Sequence, residues 1–290
     1  MLNPPIVCTA ALVALCALTQ CTPATCDRRC LTGMVDLYMD ALQKHDPSVL
    51  PVSDKVKFTE NGVPLKLGQG FWNTAGASTY RLYAIDPESG GAALEAVVGD
   101  ASEPAHFLLR LKVSRKRITE VETAVVHKAQ AGFYSPEKLR ETPELFTQNV
   151  PDSERNTREQ LLAAADSYFT AIDTEGTPEY KRAPFAPGMN RFENGTQTTN
   201  ISVNGGPVRS ADEQLDQALF KGLHVTDRRY PVVDVERGIV LGLVLFHLAA
   251  PRPAGDTIFI AEMFKISGGK LREIQAIIAD RPAQVGSGWN

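Results

Sequence analysis

The chain has 290 residues, 43% of them hydrophobic and 22% charged, with a formal net charge of -4. That balance excludes a disordered polymer and a membrane bundle. It also lacks the basic stripe by which nucleic-acid-binding domains meet phosphate, since the one dense basic run, Arg115-Lys116-Arg117, reads as a solvated hairpin turn.

In chain order, the first feature is an apolar stretch from Ile6 to Leu18, too short to span a bilayer but of the length of a signal-peptide core. It predicts a cleaved signal over residues 1–24 and a secreted or secretory-pathway protein, although no Lys or Arg precedes Arg28. An uncleaved anchor is the alternative. Cys26 and Cys30 follow, and no cysteine comes after them. With no further Cys or His nearby to complete a metal site, a short disulfide is the better reading in an oxidising compartment.

Leu31, Met34, Val35, Tyr38, Ala41 and Leu42 recur at helical spacing, and His45-Asp46-Pro47 stops the helix. Asn61-Gly62 between Val56–Glu60 and Val63–Leu67 signals a two-residue hairpin. Further hairpins are predicted from Tyr80–Asp86 with Ala92–Val98, and from Phe107–Val113 with Ile118–Val126. Residues 128–156, polar and carrying Pro136, Pro143 and Pro151, read as a linker.

The script then repeats, with a helix at Gln160–Ile172, Asn194-Gly195 at the matching hairpin, an added helix at Ala211–Phe220, and a closing run KLREIQAII against the first copy's RITEVETAVV. A repeat this long is a duplicated domain, not a solenoid. The fold class is therefore α+β, with domains at 25–127 and 157–280 and a tail at 281–290 whose Trp289 either closes a cleft or covers core.

A helix, then hairpins, then that closing strand resemble the cone-shaped fold of nuclear transport factor 2, whose superfamily includes SnoaL-like cyclases, ketosteroid isomerase and scytalone dehydratase. Cys26-Asp27-Arg28-Arg29-Cys30, His45-Asp46-Pro47, Phe58-Thr59-Glu60-Asn61-Gly62, Tyr80-Arg81-Leu82-Tyr83 and Ser287-Gly288-Trp289 resemble a largely uncharacterised family of secreted tandem SnoaL-like proteins of fungi and bacteria. The resemblance implies two tandem cones, each with N-terminal helices on a curved antiparallel sheet. It transfers no catalytic residue. Ketosteroid isomerase shows what such a pocket can do: an Asp base works with a Tyr and a protonated Asp.

In such a pocket the chemistry falls to polar groups on apolar strand faces. Phe107, Leu109, Leu111 and Val113 align with Ile260, Glu262, Phe264 and Ile266, so a carboxylate replaces a hydrocarbon. Glu262 is either a general acid or base in a pocket or the partner of Arg191, Arg228 or Arg229. His247, beside Leu241, Leu243 and Leu245, is a candidate proton shuttle or a bonded rim residue. Tyr168 and Tyr38 hold matching helix positions; Tyr168 could polarise a substrate oxygen, while Tyr38 and Trp72 would line the first pocket or pack as core. Glu60 and Glu193 precede turns that explain Asn and Gly without any function, and Asp86 and Asp234 precede hairpin turns, where Asp is favoured for local hydrogen bonding. Asn194 and Asn200 lie in sequons that permit N-glycosylation. No Gly-x-Ser-x-Gly, His-Glu-x-x-His or Walker sequence is present, and neither metal nor cofactor is expected.

The expected function is a secreted, cofactor-free isomerase, cyclase or lyase for a hydrophobic small molecule. The alternative is a binding protein for such a ligand. Neither nucleic acid nor a stable membrane span is an expected partner, and a homodimer is compatible with the reading.

Overall fold

The computed structural model describes residues 26–100, 103–252, 255–281 and 285–289, without the side chains of residues 249–256. The predicted signal segment lies outside the described residues. Helix α1 (Arg28–Gln43) starts where the Asp27 carboxylate accepts the Cys30 N–H at 2.8 Å, and Cys26 and Cys30 are disulfide-bonded across that first turn. The helix buries Leu31, Val35, Tyr38, Met39 and Leu42 and ends before His45, whose φ of 55° leaves the helical region.

Six strands follow: β1 (Val52–Glu60), β2 (Val63–Pro64), β3 (Ser78–Asp86), β4 (Gly91–Val98), β5 (Ala105–Ser114) and β6 (Arg117–Val126). The linker holds a one-turn helix, α2 (Glu144–Thr147). The second unit opens with α3 (Arg158–Thr174), whose Thr157–Gln160 capping box satisfies its first amides, and adds α4 (Ala211–Asp216). Its strands are β7 (Phe185–Glu193), β8 (Thr196–Gln197), β9 (Leu223–Asp234), β10 (Ile239–Arg252), β11 (Gly255–Ser267) and β12 (Lys270–Arg281).

The sheets have matching orders, β2-β1-β6-β5-β4-β3 and β8-β7-β12-β11-β10-β9, so the duplication extends to topology. Both are mixed and not antiparallel as expected, because β1 runs parallel to β6 and β7 parallel to β12. Hydrophobic alternation shows which face is buried but is blind to partner direction. One main helix packs on each sheet where several were expected.

The Asn-Gly turns do more than reverse the chain. Asn61 (φ 50°) and Gly62 (φ 74°) form the predicted tight hairpin, while the Asn61 side chain donates to Val125 O and accepts from Val125 N at 3.1 and 2.9 Å. Asn194 treats Ile278 in the same way, at 2.8 and 3.1 Å. Each amide thus continues the parallel ladder past the point where β1 or β7 has turned away.

Alternation divides each sheet between two cores. Phe107, Leu109 and Leu111 face α1 and Val240, Val244 and Phe246 face α3, while Leu82, Leu108, Leu241, Leu243 and Met263 form a third core between the sheets. The layers are helix, sheet, sheet, helix. Asp86 and Asp234, read as turn residues, join the units reciprocally. Buried Asp86 accepts from Arg158 (2.6 Å) and Val233 N (3.1 Å), and buried Asp234 accepts from Arg28 (2.9 Å) and Ile85 N (3.0 Å). Trp289 lies on the first sheet, donating to Thr59 Oγ1 at 2.8 Å with the Arg110 guanidinium 4.2 Å from its ring centre. Among the described residues no helix is long and apolar enough to cross a membrane.

Candidate functional site

The two units differ inside. In the second, a cavity of about 190 Å³ lies between sheet and helix, walled by Ile172, Phe246, Ile258, Ile260 and Ile278, and it receives Tyr168, Arg191, Glu193 and Glu262. An apolar cavity of roughly 150 Å³ holds benzene, so this one fits a molecule about the size of a substituted single ring.

Strand register sets Glu193 and Glu262 in one row. Glu193, Ala276, Glu262 and Gly242 stand side by side across β7, β12, β11 and β10. The matching positions of the first unit are Glu60, Thr123, Leu109 and Leu94. Leu94 and Thr123 give way to Gly242 and Ala276, and the Phe169 and Phe264 rings lie over Gly242, where a Cβ would meet them at 2.9 and 3.0 Å. The first unit's interior is instead filled. Its 3-10 turn Gly70–Asn73 inserts Phe71 and Trp72, both buried, with Phe71 5.6 Å from the Phe107 ring and Trp72 Nε1 donating to Tyr38 OH at 3.1 Å. Tyr38 and Trp72 therefore meet, but as core.

Glu262 is 3% exposed, and its Oε2 is buried with no hydrogen-bond partner. Burial pushes its pKa up to about 8, the nearby Glu193 adding to the rise and Arg191 opposing it. The carboxyl is accordingly protonated at neutral pH. Of the three arginines considered as partners, Arg191 alone lines the cavity, and its donors are committed. They reach Thr198 Oγ1 (3.1 Å), Tyr168 OH (3.2 Å), Gln214 Oε1 (2.6 Å) and Glu193 Oε1 (2.9 Å). Arg228 pairs with Asp166 and Asp173, and Arg229 with Glu122.

Burial likewise raises the Tyr168 pKa. Its oxygen accepts from Arg191, which strengthens the phenol as a donor to anything in the cavity. The cavity thus presents a neutral carboxylic acid, a polarised phenol, and an arginine balanced by its own glutamate.

The structure brings Glu262 and Tyr168 together and leaves His247 out. His247 lies on the other sheet face within β10, hydrogen-bonded to Thr226 Oγ1 (2.7 Å) and Thr257 Oγ1 (3.4 Å). Asn194 does not offer a surface amide. It is 1% exposed, lines the cavity, and its nitrogen donates to Phe133 O and Ile278 O, so a glycan there is incompatible with this fold. Asn200 is half-buried, its nitrogen bonded to Met189 O and Asn190 Oδ1, both at 2.9 Å. Among the described residues no His, Cys, Asp and Glu cluster could hold a metal ion.

Two contributors escaped the sequence reading. Glu193 borders a turn that accounts for Asn194 and Gly195, and Phe133 lies in the polar segment joining the units. Arg191 stands where the first unit has buried Phe58, so it and Glu262 are matched departures from hydrocarbon between the copies; that coincidence was the available signal.

Residues 154–278 match a sequence profile described as a domain of unknown function (DUF8021). A search of curated proteins finds no match. Among solved structures, the chain is similar to a protein of unknown function with cystatin-like fold from Methylobium petroleophilum PM1, at 12% identity and a TM-score of 0.32, over 39% of this chain and 86% of that one.

Proposed function

We propose that both units are SnoaL-like cones of the nuclear transport factor 2 type, and that the second is an acid–base site for a small, uncharged, hydrophobic molecule. One observation carries the reading: an unpartnered, buried carboxyl oxygen on Glu262 faces a cavity that is otherwise mostly hydrocarbon. Leaving a buried polar atom unmet costs about 1–3 kcal/mol, which a ligand oxygen would recover.

Near neutral pH, Glu262 donates its proton to that oxygen while Tyr168 donates a second hydrogen bond. The carboxylate left behind then removes a proton from an adjacent carbon: a carbonyl ligand is isomerised to its enol, whose carbon can close a ring on a second carbonyl of the same molecule, and a hydroxyl ligand loses its protonated oxygen as water and gains a C=C bond. Arg191 stabilises the carboxylate electrostatically, as its opposing pull on the Glu262 pKa indicates. The Cys26–Cys30 disulfide supports placing the protein in the secretory pathway.

A non-catalytic binding protein is the second reading, favoured by the position of His247, which leaves Glu262 without an imidazole to relay its proton. Untargeted metabolite comparison of producing cells carrying the wild type or Glu262→Gln decides between the two. The acid–base reading expects one compound to accumulate and another to vanish in the variant at equal protein levels. Matching profiles would favour binding.

A further inference from the structure

The cavity is not built by the second unit alone. Gly132 and Phe133, from the segment joining the units, supply part of its wall, and Phe133 also faces the adjoining outer depression together with Phe220. Phe133 therefore stands between the cavity and its surroundings.

Its backbone is held by both units. Its own carbonyl accepts from Asn194 Nδ2 at 3.1 Å. Ser135 N donates to Asn194 O at 2.8 Å, and Tyr134 OH donates to Val126 O of β6 at 3.2 Å. Gly195 allows this approach, since a Cβ there would collide with Ser135 O.

Asn194 is in turn braced from the first unit. Because its side chain accepts from Ile278 N and donates to Ile278 O, the amide has one orientation, with Oδ1 turned towards His106 Nδ1 at 3.1 Å. His106 Nδ1 therefore carries a hydrogen. Its Nε2 meets Glu95 Oε1 at 2.9 Å, and both residues are buried. Strand alignment places Leu243 and Phe259 at the positions of Glu95 and His106 in the second unit, where the same sheet face is managed with hydrocarbon. The polar pair is thus an addition peculiar to the unit whose own interior is filled.

We infer that Phe133 sets the size limit of the molecule that the second unit accepts, and that the first unit holds it in place through the buried chain Glu95–His106–Asn194. This rests on the pocket reading above. It gives the first unit a role, that of a positioning frame, and makes the joining segment part of the site.

The test compares binding of phenol and 2-naphthol to the full mature protein by calorimetry. Phe133→Ala should raise the ratio of 2-naphthol to phenol affinity about tenfold or more, the scale on which hydrophobic pockets discriminate by size. The double variant Glu95→Leu/His106→Phe copies the second unit's solution and strands no charge. It should raise the same ratio about threefold at least, by releasing Phe133, while phenol affinity falls less than that. Restoring His106 as Gln, in Glu95→Leu/His106→Gln, returns a donor to Asn194 and should bring the ratio back towards wild type. Thermal melts establish that each variant folds; should the double variant not fold, Phe133→Ala alone decides the size-limit claim. An unchanged ratio in Phe133→Ala would overturn the inference while leaving the pocket standing, and an unchanged ratio in a folded double variant would overturn the first unit's part. Failure of both phenols to bind the wild type would bring down the pocket reading and this inference with it.

Discussion

Glu262 is costly where it stands, and the cost has a sign that can be measured. Its carboxyl titrates near 8 in the fold against 4.5 when exposed. The folded state therefore binds more protons than the unfolded one across that interval. The stabilisation is complete below about pH 4.5 and is lost as pH rises through 8, at ~1.4 kcal/mol per pH unit. Glu262→Gln removes the titrating group while keeping the shape. Its melting temperature should match the wild type near pH 5 and exceed it near pH 9. Parallel melting curves across that range would mean that Glu262 keeps an ordinary pKa. The position itself was legible, since period-two alternation fixed its face once the copies were aligned. Its surroundings were not. Arg191 and Glu262 lie on strands separated by β12, and no periodicity along a chain reports which strand lies between two others.

At the scale of elements, the helices and hairpins were readable because each carries its own local chemistry: an Asp27 or Thr157 cap, an Asn-Gly turn, a proline stop. What could not be read was the return of β6 beside β1 and of β12 beside β7. Those parallel pairings depend on contacts distant in sequence, and the asparagine clamps that extend them look like ordinary turn residues. Asn61→Ala keeps Gly62 but deletes both bonds to Val125 and forces a β-carbon residue with no local polar group to hold φ at 50°. It should lower stability by about 2–3 kcal/mol in urea titration. A loss below about 0.5 kcal/mol would reduce the asparagine to a turn former.

For the whole molecule, duplication produced division of labour. The units meet back to back and exchange latches, with α1 reaching Asp234 and α3 reaching Asp86. The Cys26–Cys30 bond sits next to Arg28, so the covalent clip and the first latch share one helix turn. Asp86→Ala and Asp234→Ala each leave a backbone N–H without its acceptor and an arginine with only its second carboxylate, Glu88 for Arg158 and Glu236 for Arg28, and each should cost about 2 kcal/mol, near-equal by the reciprocity of the contacts. A large cost on one side only would show that the pairing is not reciprocal in energy. The repeat was evident from the sequence, but not that the copies face one another, since Asp86 and Asp234 are equally good turn residues. Leu109 against Glu262 marks a difference between the copies in the sequence, but local patterning does not report that Phe71 and Trp72 fill one interior while the other keeps a cavity.

What sets the second unit apart is a carboxylic acid held neutral in its cavity near pH 7. Carbon-13 NMR of glutamate side-chain carboxyls, with Glu262→Gln to assign the signal, tests it directly. The expected Glu262 midpoint is about 8. A midpoint in the ordinary carboxylate range, near 4.3, would contradict it.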